Sequence, residues 1–151
     1  MKAIENNFDD KKVNELLKKH FIELRSVSPV GSTHVLDIEG LKNKTIKFWS
    51  IWDNENLIGC GAIKTLNKYD GEFKSIRVHD EFREKGFGKK IISILISKSK
   101  EARLENIFIE TGSGEFFEPA RKLFKSCGFE ECGPFGHYKN DPNSCYMKIK
   151  V

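Results

Sequence analysis

The stretch from Arg83 to Lys90, R-E-K-G-F-G-K-K, constrains this chain more than any other. The segment before it, Gly71 to His79, reads as a strand. The segment after it, from Phe87 to about Ala102, reads as an amphipathic helix. Ile91, Ile92, Leu95, Ile96 and Ala102 fall on its apolar side, and Lys89, Ser93, Ser97 and Lys100 on its wet side. A basic turn with two glycines therefore joins a strand to a helix N-terminus. The first turn of a helix carries unpaired N–H groups and the positive end of the dipole. Gly86 and Gly88 leave room for close approach to the backbone, and Lys85, Lys89 and Lys90 add formal charge. Together they predict an anion site, most simply for phosphate or pyrophosphate.

Two common glycine motifs fail here. A Walker loop would place Gly and Ser or Thr where Arg83 and Lys90 stand. A dinucleotide fingerprint would need a third glycine where Ile91 stands.

The elements around the turn can be placed by periodicity. Residues 2 to 8 carry a weak strand signal. From Asp9 or Asp10, residues Val13, Leu16, Leu17, His20, Phe21 and Leu24 recur at helical spacing, predicting a helix to about Arg25. Val27 to Thr33 is a loop, and Ser32 or Thr33 is expected to cap a short helix with Val35, Leu36, Ile38 and Leu41. Thr45 to Trp52 and Leu57 to Leu66 read as a hairpin, followed by a strand from Glu72. Asn106 to Glu110 is apolar on both faces, as in a central parallel strand. It closes a β-α-β unit. A further helix carries Phe116, Ala120, Leu123, Phe124 and Cys127, with Pro119 in its first turn and Gly128 as its stop. Phe129 to Cys132 and Cys145 to Val151 are the last strands, separated by a long polar loop.

The bulk numbers narrow the function. With 151 residues the chain is expected to form one domain, residues 1–151, burying about two thirds of its unfolded surface. Lys plus Arg exceed Asp plus Glu by only 4, which does not point to nucleic acid as a partner. No apolar run approaches membrane-spanning length, and the polar N-terminus does not resemble a signal peptide, so a cytoplasmic location and no membrane partner are expected. The four cysteines and four histidines show no zinc spacing, so no metal is expected, and the thiols are read as reduced.

Val78, Arg83, Gly86 and Gly88 stand in the register of R-x-x-G-x-G, and the segment resembles the pyrophosphate loop of the GCN5-related N-acetyltransferases. A second stretch, A-R-K-L-F-K-S-C-G-F from Ala120 to Phe129, is similar to that family's A-x-x-L-Y-x-x-x-G-F. The order of elements matches along the whole chain, most closely from Glu72 to Phe129. The runs E-T-G-S, F-E-P-A-R-K-L-F, C-G-F and D-P-N-S resemble a bacterial subgroup of small enzymes. The resemblance implies an α/β (α+β) fold. Its central mixed sheet would have six to seven mostly antiparallel strands, about four helices and a splayed parallel central pair. It implies acetyl-CoA as co-substrate. The pantetheine would pair with backbone from Ile76 through Arg77 to Val78. The pyrophosphate would lie on amides from Arg83 through Glu84, Lys85, Gly86, Phe87 and Gly88 to Lys89. The Val78 N–H would polarise the thioester carbonyl.

Catalysis then needs a base, because an alkylamine is protonated at neutral pH. Glu72 matches the base of the family's histone-acetylating members, and Glu110, at the end of the facing strand, is the rival. His79 reads as structural. Phe124 departs from the pattern: relatives carry a tyrosine there that protonates the leaving thiolate. Tyr138 is the candidate substitute, with Tyr146 behind it. Cys127 reads as buried packing. Arg77 in a central strand needs a partner. The candidates are an ion pair with Glu72 or Glu110, or a clamp on an acceptor carboxylate. The expected acceptor is the primary amine of a small molecule, taken by a monomer or homodimer. A protein amine and a non-catalytic acyl-CoA-binding role are the alternatives.

Overall fold

A computed structural model describes all residues from Met1 to Val151. Its strands are β1 (Lys2–Glu5), β2 (Ile46–Asp53), β3 (Asn56–Thr65), β4 (Asp70–Val78), β5 (Asn106–Gly112), β6 (Glu130–Cys132) and β7 (Ser144–Lys150). Its helices are α1 (Lys11–Val27), α2 (Ile38–Leu41), α3 (Phe87–Glu101) and α4 (Glu118–Ser126). The seven strands form one sheet in the order β1-β2-β3-β4-β5-β7-β6. Every neighbouring pair is antiparallel except β4–β5.

Local chemistry explains most boundaries. The Asp10 carboxylate accepts from the N–H groups of Lys12 and Val13 at 2.8 and 3.1 Å and starts α1. Asp37, not Ser32 or Thr33, caps the short helix, through the Gly40 N–H. The expected start was too early because Val35 and Leu36 lie in the irregular segment before Asp37. Gly128 stops α4 with φ of +100°, a conformation open to glycine at no steric cost. Phe116 falls outside the apolar stripe of α4. It sits in a 3₁₀ turn, Glu115–Phe117, and is 47% exposed.

The sheet is covered on both faces. One core gathers Trp49, Ile63, Phe73, Ile107, Ile109 and Met147 with Ile91, Ile92 and Leu95 of α3 and Phe124 of α4. The other gathers Phe48, Trp52, Leu57, Cys60 and Ala62 with Val13, Leu16 and Leu17 of α1.

Two irregularities in β4 place the site. The strand pairs with β5 only from Asp70 to Glu72, opposite Asn106 to Phe108. Beyond that, β5 stays with β7 as far as Gly112 while β4 stays with β3. A wedge opens between the parallel strands. The second irregularity is a bulge. Cys60 faces Arg77 and Ala62 faces Lys74, so Gly61 alone stands opposite Ser75 and Ile76. Ser75 has φ of +55°, outside the extended region. The extra residue reverses which side chains point to which face. Glu72, Lys74 and then Arg77 face α1, while Ile76 and Val78 pack against the α3 core.

Candidate active site

The wedge is the floor of a cleft of about 930 Å³. It runs from the turn before α3, between β4 and β5, to the loops around residues 32–35 and 143.

At one end lies the glycine turn. Glu84 and Gly86 both have positive φ, +59° and +82°. Gly86 is the N-cap of α3, no side chain caps the helix, and its first turn holds no acidic residue. The backbone N–H groups from Glu84 to Lys89 have no acceptor within the protein. A Cβ on Gly86 would meet nothing within 4 Å, so the space over the turn is open. The donor set is therefore polar, backbone-built and unclaimed, which fits a pyrophosphate. Gly88 has a different reason from the one expected. A Cβ there would stand 2.7 Å from the Leu123 side chain, so this glycine lets α3 and α4 approach each other. Phe87, Gly88 and Lys89 line the cleft, whereas Lys85 lies over the Phe82 ring.

The middle is the free edge of β4. The His79 N–H donates to Ile58 of β3 at 2.7 Å. By strand alternation the N–H groups of Val78 and Ile76 point the other way, into the wedge, where no strand pairs with them.

Arg77 does not pair with Glu72 or Glu110. Its guanidinium takes Glu23 of α1 with both terminal nitrogens, at 2.8 and 3.3 Å, and Asp80 at 3.2 Å. The bulge puts it on the α1 side, where Glu23 and Asp80 are within reach. Arg83 joins the same group, at 3.2 Å from Asp80 and 3.8 Å from Glu23, and Lys19 also pairs with Asp80. The hydrogen bond from Arg77 holds the Glu23 carboxyl below the usual carboxylate range, and that from Lys19 does the same for Asp80. Burial, with Arg77 beside it, pulls the His20 imidazole down to about 4.

At the other end, beside the apex of the wedge, the polar side chains converge. Glu72 is 3% exposed, and the Tyr138 hydroxyl donates to its Oε2 at 2.6 Å. The Lys74 ammonium donates to the same oxygen at 3.3 Å and to the Tyr138 hydroxyl oxygen at 3.1 Å. Glu72 Oε1 has no protein partner and is not sealed from solvent, so it opens into the cleft. Glu110 lies in the body of β5, opposite Tyr146, rather than at the strand's end. Burial raises its carboxyl above the usual range. His34 and Lys74 hold it back, and the Glu72 charge adds to the rise. Burial, and then the Glu72 carboxylate, push the Tyr138 phenol far above the ordinary tyrosine range, so its proton stays on. The Tyr146 hydroxyl is spent on the Lys139 carbonyl at 2.7 Å.

Phe124 is 8% exposed and lies edge-on to Phe129, with ring centroids 5.4 Å apart. It lines the cleft from the α4 side, whereas Tyr138 meets Glu72 on the α1 side. The two rings approach from opposite faces of the sheet. Sequence reasoning did not single out His34, whose ring stands edge-on to Tyr138 at 4.9 Å, or the partners of Arg77. No local pattern marks residue 34. Asp80, three residues after Arg77, was the one local cue to that arginine's partner.

A sequence model of the acetyltransferase (GNAT) family matches residues 11–129. The chain is 40% identical over 141 residues to the uncharacterized N-acetyltransferase YsnE of Bacillus subtilis, covering 93% of each chain. It is 33% identical to the uncharacterized N-acetyltransferase YedL of Escherichia coli, covering 92% of this chain and 87% of that one. The structure superposes with a TM-score of 0.69 on a GNAT family acetyltransferase from Elizabethkingia anophelis with acetyl-CoA bound. That pair shares 15% identity, covering 99% and 97% of the two chains, so the likeness speaks for the fold. No helix is long and apolar enough to cross a membrane.

Proposed function

The chain belongs to the GNAT acetyltransferase family and is an acetyl-CoA-dependent acyltransferase, and we propose that its acceptor is the primary amine of a small molecule. The observation that carries the acceptor reading is the pair of carboxylates, Glu72 and Glu110, opening into the end of the cleft beyond the free β4 edge. A cationic amine is drawn to such a place, and one of the two carboxylates must take its proton.

The N–H groups from Glu84 to Lys89 hold the donor's pyrophosphate. The pantetheine follows the unpaired edge of β4, and the amides of Ile76 and Val78 face its carbonyl groups. The bound co-substrate supplies an activated acetyl thioester. An N–H aimed at the thioester oxygen favours the charge that develops there as the amine attacks.

Glu110 is assigned the base. Its raised pKa makes it the readier proton acceptor, whereas two donors already hold one oxygen of Glu72. The neutral amine forms the C–N bond, the C–S bond breaks, CoA leaves as thiolate, and the new amide nitrogen gives up its second proton to solvent or to that thiolate. A thiol with pKa near 8.5 is a tolerable leaving group without an acid. Phe124 therefore does not exclude turnover. Tyr138 keeps its proton on Glu72 and serves to position that carboxylate rather than to protonate sulfur.

The test is thiol release from acetyl-CoA with a panel of small amines and lysine peptides. Turnover with small amines, at kcat/KM at least roughly tenfold above any peptide, is the expected result. Faster reaction with peptides would transfer the acceptor to protein. Tight acetyl-CoA binding with no release for any amine would leave a non-catalytic binder.

A further inference from the structure

The acceptor end carries an imbalance of charge that specifies more than an amine. The cations lining this part of the cleft are already spent. Lys74 is bonded to Glu72 and Tyr138 and is only 10% exposed. Arg77 is held by Glu23 and Asp80, and Arg83 by the same two carboxylates. His34 and the buried His20 are the other basic groups there, and Lys89 lies at the glycine turn. Facing them, Glu72 Oε1 and the Glu110 carboxylate are both open to the cleft. Lys74 balances one of the two carboxylate charges, so this end keeps one net negative charge, and a carboxylate on the acceptor would add to it. A second ammonium on the acceptor would meet Glu72 Oε1, the carboxylate oxygen that Lys74 and Tyr138 leave free.

The spacing suits such a molecule. Glu72 stands opposite Phe108, two residues before Glu110 on the same face of β5. Two residues of strand rise roughly 7 Å and neighbouring strands lie about 4.8 Å apart, so the two side chains leave the sheet roughly 8 Å or more from each other. A chain of about four methylenes between two nitrogens, with a hydrogen bond at each end, reaches across such a gap.

We propose that the acceptor is a diamine or longer polycationic amine, with the reacting nitrogen at Glu110 and the second ammonium on Glu72 Oε1. The assignment rests on the N-acetyltransferase reading above and adds the class of acceptor. Lys74 and Tyr138 hold Glu72 Oε2, which aims the free oxygen into the cleft and keeps this carboxylate a fixed counter-ion.

Three acceptors of equal length decide the matter: 1,4-diaminobutane, 1-aminopentane and 4-aminobutanoate. They differ only in whether the far end is cationic, neutral or anionic. At pH 8, where an imidazole is ordinarily neutral, kcat/KM should fall in that order, by about tenfold or more at each step. In Glu72→Gln the diamine should keep no more than about a threefold advantage over the monoamine, whatever the absolute rate. Calorimetry of the same three compounds against the enzyme with CoA bound should give the same ranking without turnover. An equal or reversed ranking in both measurements overturns the diamine assignment, and thiol release from any of the three leaves the acetyltransferase reading standing. If no compound turns over, the reading beneath has failed for small amines, and the binding order still decides the charge preference. A diamine preference that survives intact in Glu72→Gln removes Glu72 from the assignment and overturns the proposal as stated.

Discussion

The two ends of the cleft are made of different material. At the turn between β4 and α3 the groups without a partner in the protein are backbone N–H groups from one continuous run, Glu84 to Lys89. At the acceptor end they are side chains from separated places: His34 before α2, Glu72 and Lys74 on β4, Glu110 on β5, and Tyr138 in the loop before β7. Backbone donors need only a conformation, and a few residues with glycine can supply it. Convergent side chains need the whole sheet to be correctly assembled. Damage at the first end should therefore weaken donor binding, and damage at the second should slow the chemistry.

The largest expected effect is at the second end. Glu110→Gln should lower kcat by roughly 10²–10⁴. Calorimetry should find acetyl-CoA affinity unchanged within about twofold. The base must be deprotonated to work. The wild-type rate should therefore rise with pH as Glu110 loses its proton, at a pH above the ordinary carboxylate range. That limb should vanish in the variant. If Glu72→Gln produces this profile and Glu110→Gln does not, the roles of the two carboxylates are exchanged.

Next comes Gly86→Glu, at the first end. A residue with a side chain resists φ of +82°, at a cost of roughly 1–2 kcal/mol, and the new carboxylate repels phosphate. Acetyl-CoA should bind roughly 10- to 100-fold more weakly, while kcat at saturation stays close to wild type. A loss confined to kcat would break the division between the two ends.

The smallest effect sharpens the same comparison within the turn. Gly88→Ala places a methyl 2.7 Å from the flexible Leu123 side chain. Denaturant unfolding should show a loss of about 1–2 kcal/mol. Acetyl-CoA affinity, measured well below the unfolding temperature, should move less than in Gly86→Glu. A larger loss of affinity in Gly88→Ala would mean that residue 88, not residue 86, lies against the ligand.

The legibility of the chain follows the same division. The helix caps at Asp10 and Gly128, the strand–turn–helix around Gly86 and the crossover to β5 are local, and short-range patterns predict them. Asp37 was missed as a cap because Ser32 and Thr33 offer equally good capping chemistry a few residues earlier. Phe116 fits the helical spacing of α4, but the chain spends it in the 3₁₀ turn before the helix. Glu72 and Tyr138 were singled out separately. That one donates to the other is a contact across 66 positions, and no sequence period encodes it.

The sequence by itself determined the order of elements, the glycine turn before α3 and the family. Each depends on residues within a few positions of one another, or on spacing along the chain. Only the tertiary structure decided the facing of β4. Strict alternation from Glu72 would put Ile76 and Val78 on the same side as the glutamate and Arg77 on the other. One extra residue at Ser75, opposite Gly61, reverses this. Arg77 goes to Glu23 of α1, and Ile76 and Val78 pack toward α3 with their N–H groups in the wedge. A bulge is settled by which neighbours a strand meets on each side, and β3, α1 and α3 come from distant parts of the chain.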